Sequence, residues 1–342
     1  MKSIKNALSY LPRDPFKVIV RRESGVPDSD ASREVVAHVF DELSIAAVNG
    51  ALAAQRPLLV KGEPGVGKTQ LAAAVASKLV RPFVPFTVNA RTEPADLLWR
   101  FDAVQRLAEA QICGTGRVDS VASTTRLEEW RFVEPGPLWW GFDWNGAIEH
   151  KRRKHQPLDA QASGANPSKF NANDHIPDHL GNPINGVVVL IDEIDKADPD
   201  LPNGLLEALG SRRFVPAAKG CSPVVAGNPP PLVVITTNQE RILPDAFLRR
   251  CLILTLKAPG LDELVTRGRA HFPEANESVL RSAAEQLMDD RQQSAPPLPG
   301  LAEYLDLLRA LFALQPIQKR NAEELLKELS TFTLHKHRRG VT

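Results

Sequence analysis

The stretch Gly62-Glu63-Pro64-Gly65-Val66-Gly67-Lys68-Thr69 follows the apolar run Pro57 to Val60 and opens an Ala-rich segment with helical spacing. Strand, glycine-rich loop and helix in that order form a phosphate-binding loop, and the order separates it from a chance glycine-rich turn. The glycines let backbone N–H groups turn inward around phosphate oxygens, while the helix presents its positive end to the same charge. The residues assigned to nucleotide binding are Gly62, Glu63, Pro64, Gly65, Val66, Gly67, Lys68, Thr69 and Gln70. Lys68 is expected to reach the β- and γ-phosphates and Thr69 to ligate Mg²⁺. The motif implies a bound nucleoside triphosphate and leaves its use open.

The apolar pattern extends this motif into an α/β architecture. Phe83 to Val88 reads as a second strand, and Val187 to Ile191 is a continuous apolar run of the kind buried on both faces of a parallel sheet. Leu232 to Thr236 and Leu252 to Leu256 add two more strands. Strands alternating with helices predict a doubly wound parallel sheet that binds its ligand at the strands' carboxyl ends. Before the loop, Val35, Val36, Val39, Phe40, Leu43, Ala46, Ala47 and Leu52 predict a helix starting at Ser32. Thr92 to Gln111 reads as one long amphipathic helix, and residues 1–30 as an irregular arm. Asn145 to Asn185 is polar, lacks a core pattern and reads as an inserted loop. Beyond Gly260 helices are expected over 261–271, 276–291, 301–314 and 321–335, forming a second, helical domain.

The chemistry follows from what stands at the strand ends. Transfer of a phosphoryl group to water needs a held metal-bound triphosphate, an oriented water and cationic compensation of the developing charge. Asp192, ending an apolar strand, is expected to hold Mg²⁺ together with Thr69, and Glu193 to orient or deprotonate the water. A helix cap is the competing use of that carboxylate pair. Asn238, at the tip of the next strand, is placed to contact the γ-phosphate; a turn asparagine is its plainer alternative. Arg249 and Arg250 close a short helix just before a strand, and a planar, permanently charged guanidinium suits a finger toward a neighbour's γ-phosphate. A solvated surface pair competes with that reading.

Composition narrows the setting. The chain has 342 residues, 43% hydrophobic and 24% charged, with a formal net charge of +1. That suits a globular protein of two domains and gives no global attraction to nucleic acid or anionic membranes. Three dispersed cysteines fit neither a disulfide framework nor a zinc ribbon, and no apolar run nears the length of a bilayer span. A cytoplasmic, membrane-free protein is the expectation.

Weaker signals are of four kinds. His175 and His179, with His150 and His155 nearby, have ligand-like spacing without a closing cysteine or carboxylate pattern. Lys151-Arg152-Arg153-Lys154 suits a phosphate or acidic partner, or is a solvated charge run. Trp139 and Trp140 either grip a threaded polypeptide or pack in the interior, and Arg212 and Arg213 either act across a subunit boundary or cap an exposed helix.

The phosphate loop, the strand ending in Asp192-Glu193, Asn238 and the segment Leu243 to Arg250 together resemble an AAA+ ATPase, and more narrowly its MoxR branch. Thr92 to Leu98, Pro135-Gly136-Pro137-Leu138, Asp192 to Ala197, Leu205 to Leu209 and Arg213-Phe214-Val215-Pro216 carry the narrower likeness. The resemblance covers residues 32–315. It implies an α/β P-loop NTPase domain over 31–258 with a C-terminal helical lid over 259–342. It also implies a helix-2 insertion within 103–132 and a pre-sensor hairpin within 213–231. ATP hydrolysis with Mg²⁺ in a ring, usually a hexamer completed in trans by an arginine, is the implied activity. A chaperone-like motor remodelling a protein partner, one with a von Willebrand factor A domain, is the implied role. A nucleic-acid-directed or defence motor and a slow ATPase scaffold are the alternatives. Two departures stand out: the family's lid arginine is missing where Pro297-Leu298-Pro299-Gly300-Leu301-Ala302 stands, with Arg309 a few turns later as a substitute, and a long polar insertion over 145–186 precedes the Asp192 strand.

Overall fold

The apolar runs become the strands of one parallel sheet, and the polar ends of those strands gather on one rim. The computed structural model describes residues 10–22, 34–114, 125–154, 177, 181–294, 298–318 and 321–334. The chain begins with β1 (Phe16–Arg22), β2 (Glu34–Phe40), α1 (Glu42–Ala54), β3 (Leu58–Lys61), α2 (Lys68–Lys78) and β4 (Phe83–Thr87). Next come α3 (Pro94–Leu98), β5 (Trp99–Phe101), α4 (Ala103–Gly114), β6 (Val133–Pro135), α5 (Pro137–Phe142), α6 (Trp144–Lys154) and β7 (Val188–Asp192). The α/β part continues through α7 (Asp200–Gly204), α8 (Leu206–Ser211), β8 (Arg213–Phe214), β9 (Val224–Val225), β10 (Leu232–Thr237), α9 (Asp245–Leu248) and β11 (Leu252–Thr255). The C-terminal helical region holds α10 (Leu261–His271), α11 (Glu277–Gln293), α12 (Leu301–Gln318) and α13 (Ala322–Thr333).

The sheet has the order β11-β3-β10-β7-β4, every pair parallel. Successive side chains of a strand point to opposite faces, so a strand covered on both sides must be apolar throughout. Leu58, Val60, Val188, Leu190 and Val234 pack with α1 and α2 on one face. Leu59, Val189, Ile191, Val233 and Ile235 pack with Trp139, Trp140 and Phe142 of α5 on the other. The two tryptophans are core residues, not a surface grip for a polypeptide. Leu264, Leu280, Leu287, Tyr304, Leu308 and Leu325 form a separate core in the C-terminal helices.

Several local expectations are overturned. Part of the N-terminal arm is ordered as β1, paired antiparallel with β2 from Phe16 opposite Phe40 to Arg22 opposite Glu34. The helix expected from Ser32 begins only at Glu42; Ser32 itself lies outside the described residues. Val35, Val36, Val39 and Phe40 belong to β2, and β-branched residues favour that pleated surface. Asp41 then caps α1, its carboxylate accepting from Ser44 N at 2.7 Å. The continuous helix expected over 92–111 is interrupted, because β5 pairs with β6 between α3 and α4. The start of the polar insertion is a packed helix, α6, with Trp144 and Ala147 buried. The rest of that segment lies outside the described residues except for 177 and 181–186, as do His155, His175 and His179.

Candidate functional site

The rim formed by the carboxyl ends of β3, β7 and β10 brings the chemistry together. The loop after β3 turns into α2 through Gly67, whose φ of 99° lies where a side chain is disfavoured. Lys68 is buried, and its ammonium donates to Gly62 O at 2.9 Å, Glu63 O at 2.8 Å and Asn238 Oδ1 at 2.7 Å. Burial pulls the Lys68 pKa down, while Asp192, Asp195, Glu193 and Glu63 oppose that shift. Thr69 donates its hydroxyl to Asp192 Oδ2 at 2.9 Å. A hydroxyl and a carboxylate side by side are the hard oxygen donors that suit Mg²⁺.

Glu193 stands just past β7 with φ of 59°, a left-handed conformation that is uncommon for a residue with a side chain. Its carboxylate accepts from Asn238 Nδ2 at 3.2 Å and pairs with Lys196 Nζ at 2.6 Å. That pairing raises the Lys196 pKa, the hydrogen bond to Glu193 being the largest cause. Asn238 thus bridges the ammonium of Lys68 and the carboxylate of Glu193. The loop, the strand ends and Leu301, Ala302 and Leu305 of α12 line one cleft of about 290 Å³.

Two supporting residues escaped the sequence reading. Thr236 is fully buried; its hydroxyl donates to Asp192 Oδ1 at 2.5 Å and accepts from Glu193 N at 2.8 Å. Asp195 is buried and accepts from Asn238 N at 3.1 Å and Glu240 N at 2.9 Å. The signal for Thr236 is a polar pair, Thr236-Thr237, closing an otherwise apolar strand. Asp195 has no such mark, because its partners depend on how the loop after β10 folds.

Other expected residues lie away from the cleft. Arg249 and Arg250 are exposed after α9, where Arg56 Nε donates to Arg250 O at 3.0 Å and its Nη2 to Arg249 O. The Arg250 guanidinium folds back onto Ala246 O at 3.0 Å. Among the described residues the Arg249 guanidinium meets no carboxylate. Arg309 pairs with Asp306 at 2.8 Å on an exposed part of α12 and does not line the cleft. Arg212 follows α8 and reaches Gln55, and Arg213 opens the β8–β9 ladder.

The basic run is divided between the interior, which takes its two lysines, and an exposed face, where Arg152 and Arg153 stand. Lys151 and Lys154 are buried and paired with Glu134, Arg153 stacks 3.9 Å from the Trp130 ring centre, and Arg152 pairs with Glu149. His150 is partly buried, and its Nε2 lies 2.9 Å from Val133 O. Among the described residues no group of three or more His, Cys, Asp or Glu side chains is placed to hold a metal ion. No helix among them is long and apolar enough to cross a membrane.

A family model described as an AAA domain of the dynein-related subfamily matches residues 57–251, more than half of the chain. No curated protein matches. Among solved structures, a proline-to-glycine variant of RuvB from Thermotoga maritima is similar with a TM-score of 0.45 and 14% identity. That alignment covers 85% of this chain and 68% of the other. A lysine-to-arginine variant of the same protein gives 0.44 and 14%, over 84% and 66%.

Proposed function

Because the chain belongs to the AAA family, in its dynein-related subfamily, we propose that it is an ATP-hydrolysing motor of MoxR type, working as a ring of its own copies on a protein partner. The meeting of Lys68, Thr69, Asp192, Glu193 and Asn238 at one rim carries this reading. The loop N–H groups and Lys68 bind the phosphates. Thr69 and Asp192 hold Mg²⁺, which when bound neutralises charge on the transferring phosphoryl group. Glu193 takes the proton of the attacking water and Asn238 orients that water. Thr236 holds Asp192 and the backbone of Glu193 in one relation, so ligand and base keep their spacing. The C-terminal helices serve as the lid of this cleft. Arg249, exposed and uncommitted to a carboxylate, is the residue we assign to the neighbour's site in trans.

A protein partner, one with a von Willebrand factor A domain as the MoxR likeness implies, is favoured over nucleic acid. Of the basic run that would attract phosphates, both lysines are buried against Glu134, and the exposed Arg152 and Arg153 already meet Glu149 and Trp130. Glu193→Gln tests the assignment: nucleotide binding should persist while turnover falls about 10²–10⁴-fold, the range for a lost general base. Unchanged turnover would overturn it. Turnover stimulated by DNA or RNA and quenched by salt would transfer the motor to a nucleic acid.

A further inference from the structure

The lid reaches the nucleotide cleft with Leu301, Ala302 and Leu305, none of them cationic, yet a cation of the lid does reach the phosphate loop. Arg291, on the last turn of α11, sends Nη2 to Glu63 Oε2 at 2.8 Å and Nη1 to Pro299 O at 2.5 Å. The Arg291 side chain is 15% exposed and that of Glu63 48%, so the guanidinium is held by its surroundings while the carboxylate stays open to solvent. Glu63 is the second residue of the phosphate loop, and its carbonyl also accepts from Lys68 at 2.8 Å. Pro299 leads directly into α12, where Gly300 N donates to Glu303 Oε2 at 2.9 Å. At Gly300 an added Cβ would lie 3.3 Å from Pro64 O, and at Gly65 one would lie 3.4 Å from Ala302 Cβ. One guanidinium therefore ties together the end of α11, the entry to α12 and the loop that holds phosphate.

We propose that Arg291 is a positioning residue that docks the lid on the phosphate loop through Glu63, setting nucleotide affinity without touching the γ-phosphate. The proposal rests on the nucleotide-site reading above. Arginine suits the task, because its planar fork serves a carboxylate and a carbonyl together, which an ammonium on a flexible stem does less well. Since the tie is to the loop and not to the terminal phosphate, di- and triphosphate should feel its loss equally.

The test is equilibrium binding of Mg²⁺-ADP and of a non-hydrolysable Mg²⁺-ATP analogue, beside steady-state turnover. Arg291→Ala should weaken both ligands by the same factor, on the order of fivefold for one charged hydrogen-bonded pair, with KM raised and kcat nearly unchanged. Arg291→Lys should recover part of the loss, and Glu63→Arg combined with Arg291→Glu should recover more than either change alone. If Arg291→Ala does not fold, Glu63→Gln breaks the same pair and should show the same equal weakening. A loss confined to the triphosphate would overturn the proposal in favour of direct γ-phosphate contact. Unchanged binding in both Arg291→Ala and Glu63→Gln would overturn it outright. A wild type that binds neither nucleotide would overturn the site reading and the tether with it, whereas a wild type that binds while the variants match it removes the tether alone.

Discussion

Thr236 shows how much of the cleft depends on a residue that never faces nucleotide. Thr236→Val keeps the shape and removes the hydroxyl, leaving Glu193 N–H without its partner. We expect a stability loss of about 1–3 kcal/mol, the cost of one unsatisfied buried donor. Because Asp192 loses its second hydroxyl, higher Mg²⁺ should be needed for half-maximal turnover. Denaturant titration and a Mg²⁺ series check the two parts separately. Lys68, Thr69, Asp192, Glu193 and Asn238 were legible in the sequence because each is fixed by its place at the end of a strand or loop. Thr236, Asp195 and Arg291 were not, because their roles depend on strand register, on a loop fold and on lid docking.

Among elements, the strands buried on both faces were legible as uninterrupted apolar runs, and β10 is buried along its whole length. The pairing of β1 with β2 was not, since residues 1–30 lacked a period and Val35, Val36, Val39 and Phe40 fitted the spacing of a helix as well as that of a strand. The hairpin also bears on the C-terminal helices: Lys17 Nζ donates to Ala270 O, and His38 of β2 faces Arg267 and His271 of α10 with Asp41 beside it. Burial first, then Arg267, pulls the His38 pKa from 6.5 down to about 4, Asp41 opposing and His271 adding. Between those values the unfolded chain takes a proton that the folded chain refuses, so stability rises with pH there and is lost on descent. Unfolding by denaturant should therefore be easier at pH 5 than at pH 7 by about 2 kcal/mol from this residue. His38→Gln should flatten that portion of the profile; an unchanged profile would sink the assignment.

For the whole molecule, the α/β sheet and helical C-terminal region were legible from the alternation of runs, whereas the internal use of Lys151 and Lys154 was hidden until Glu134 was brought beside them. If sites are completed between copies, the rate per subunit should rise with protein concentration and collapse in Arg249→Ala with nucleotide binding intact. Arg250→Ala should do less, its guanidinium being folded onto Ala246. A concentration-independent rate untouched by both changes would mean self-contained sites. Among the described residues, side-chain hydrogen bonds join the C-terminal helices to the rest of the chain at Arg291 on Glu63 and at Lys17 on Ala270. Gly300 and Ala302 also lie against Pro64 and Gly65 of the phosphate loop. That loop therefore cannot be displaced by nucleotide without the shift being felt at the entry to α12, and any shift of the helices relative to the sheet must break or carry along the contact at Lys17.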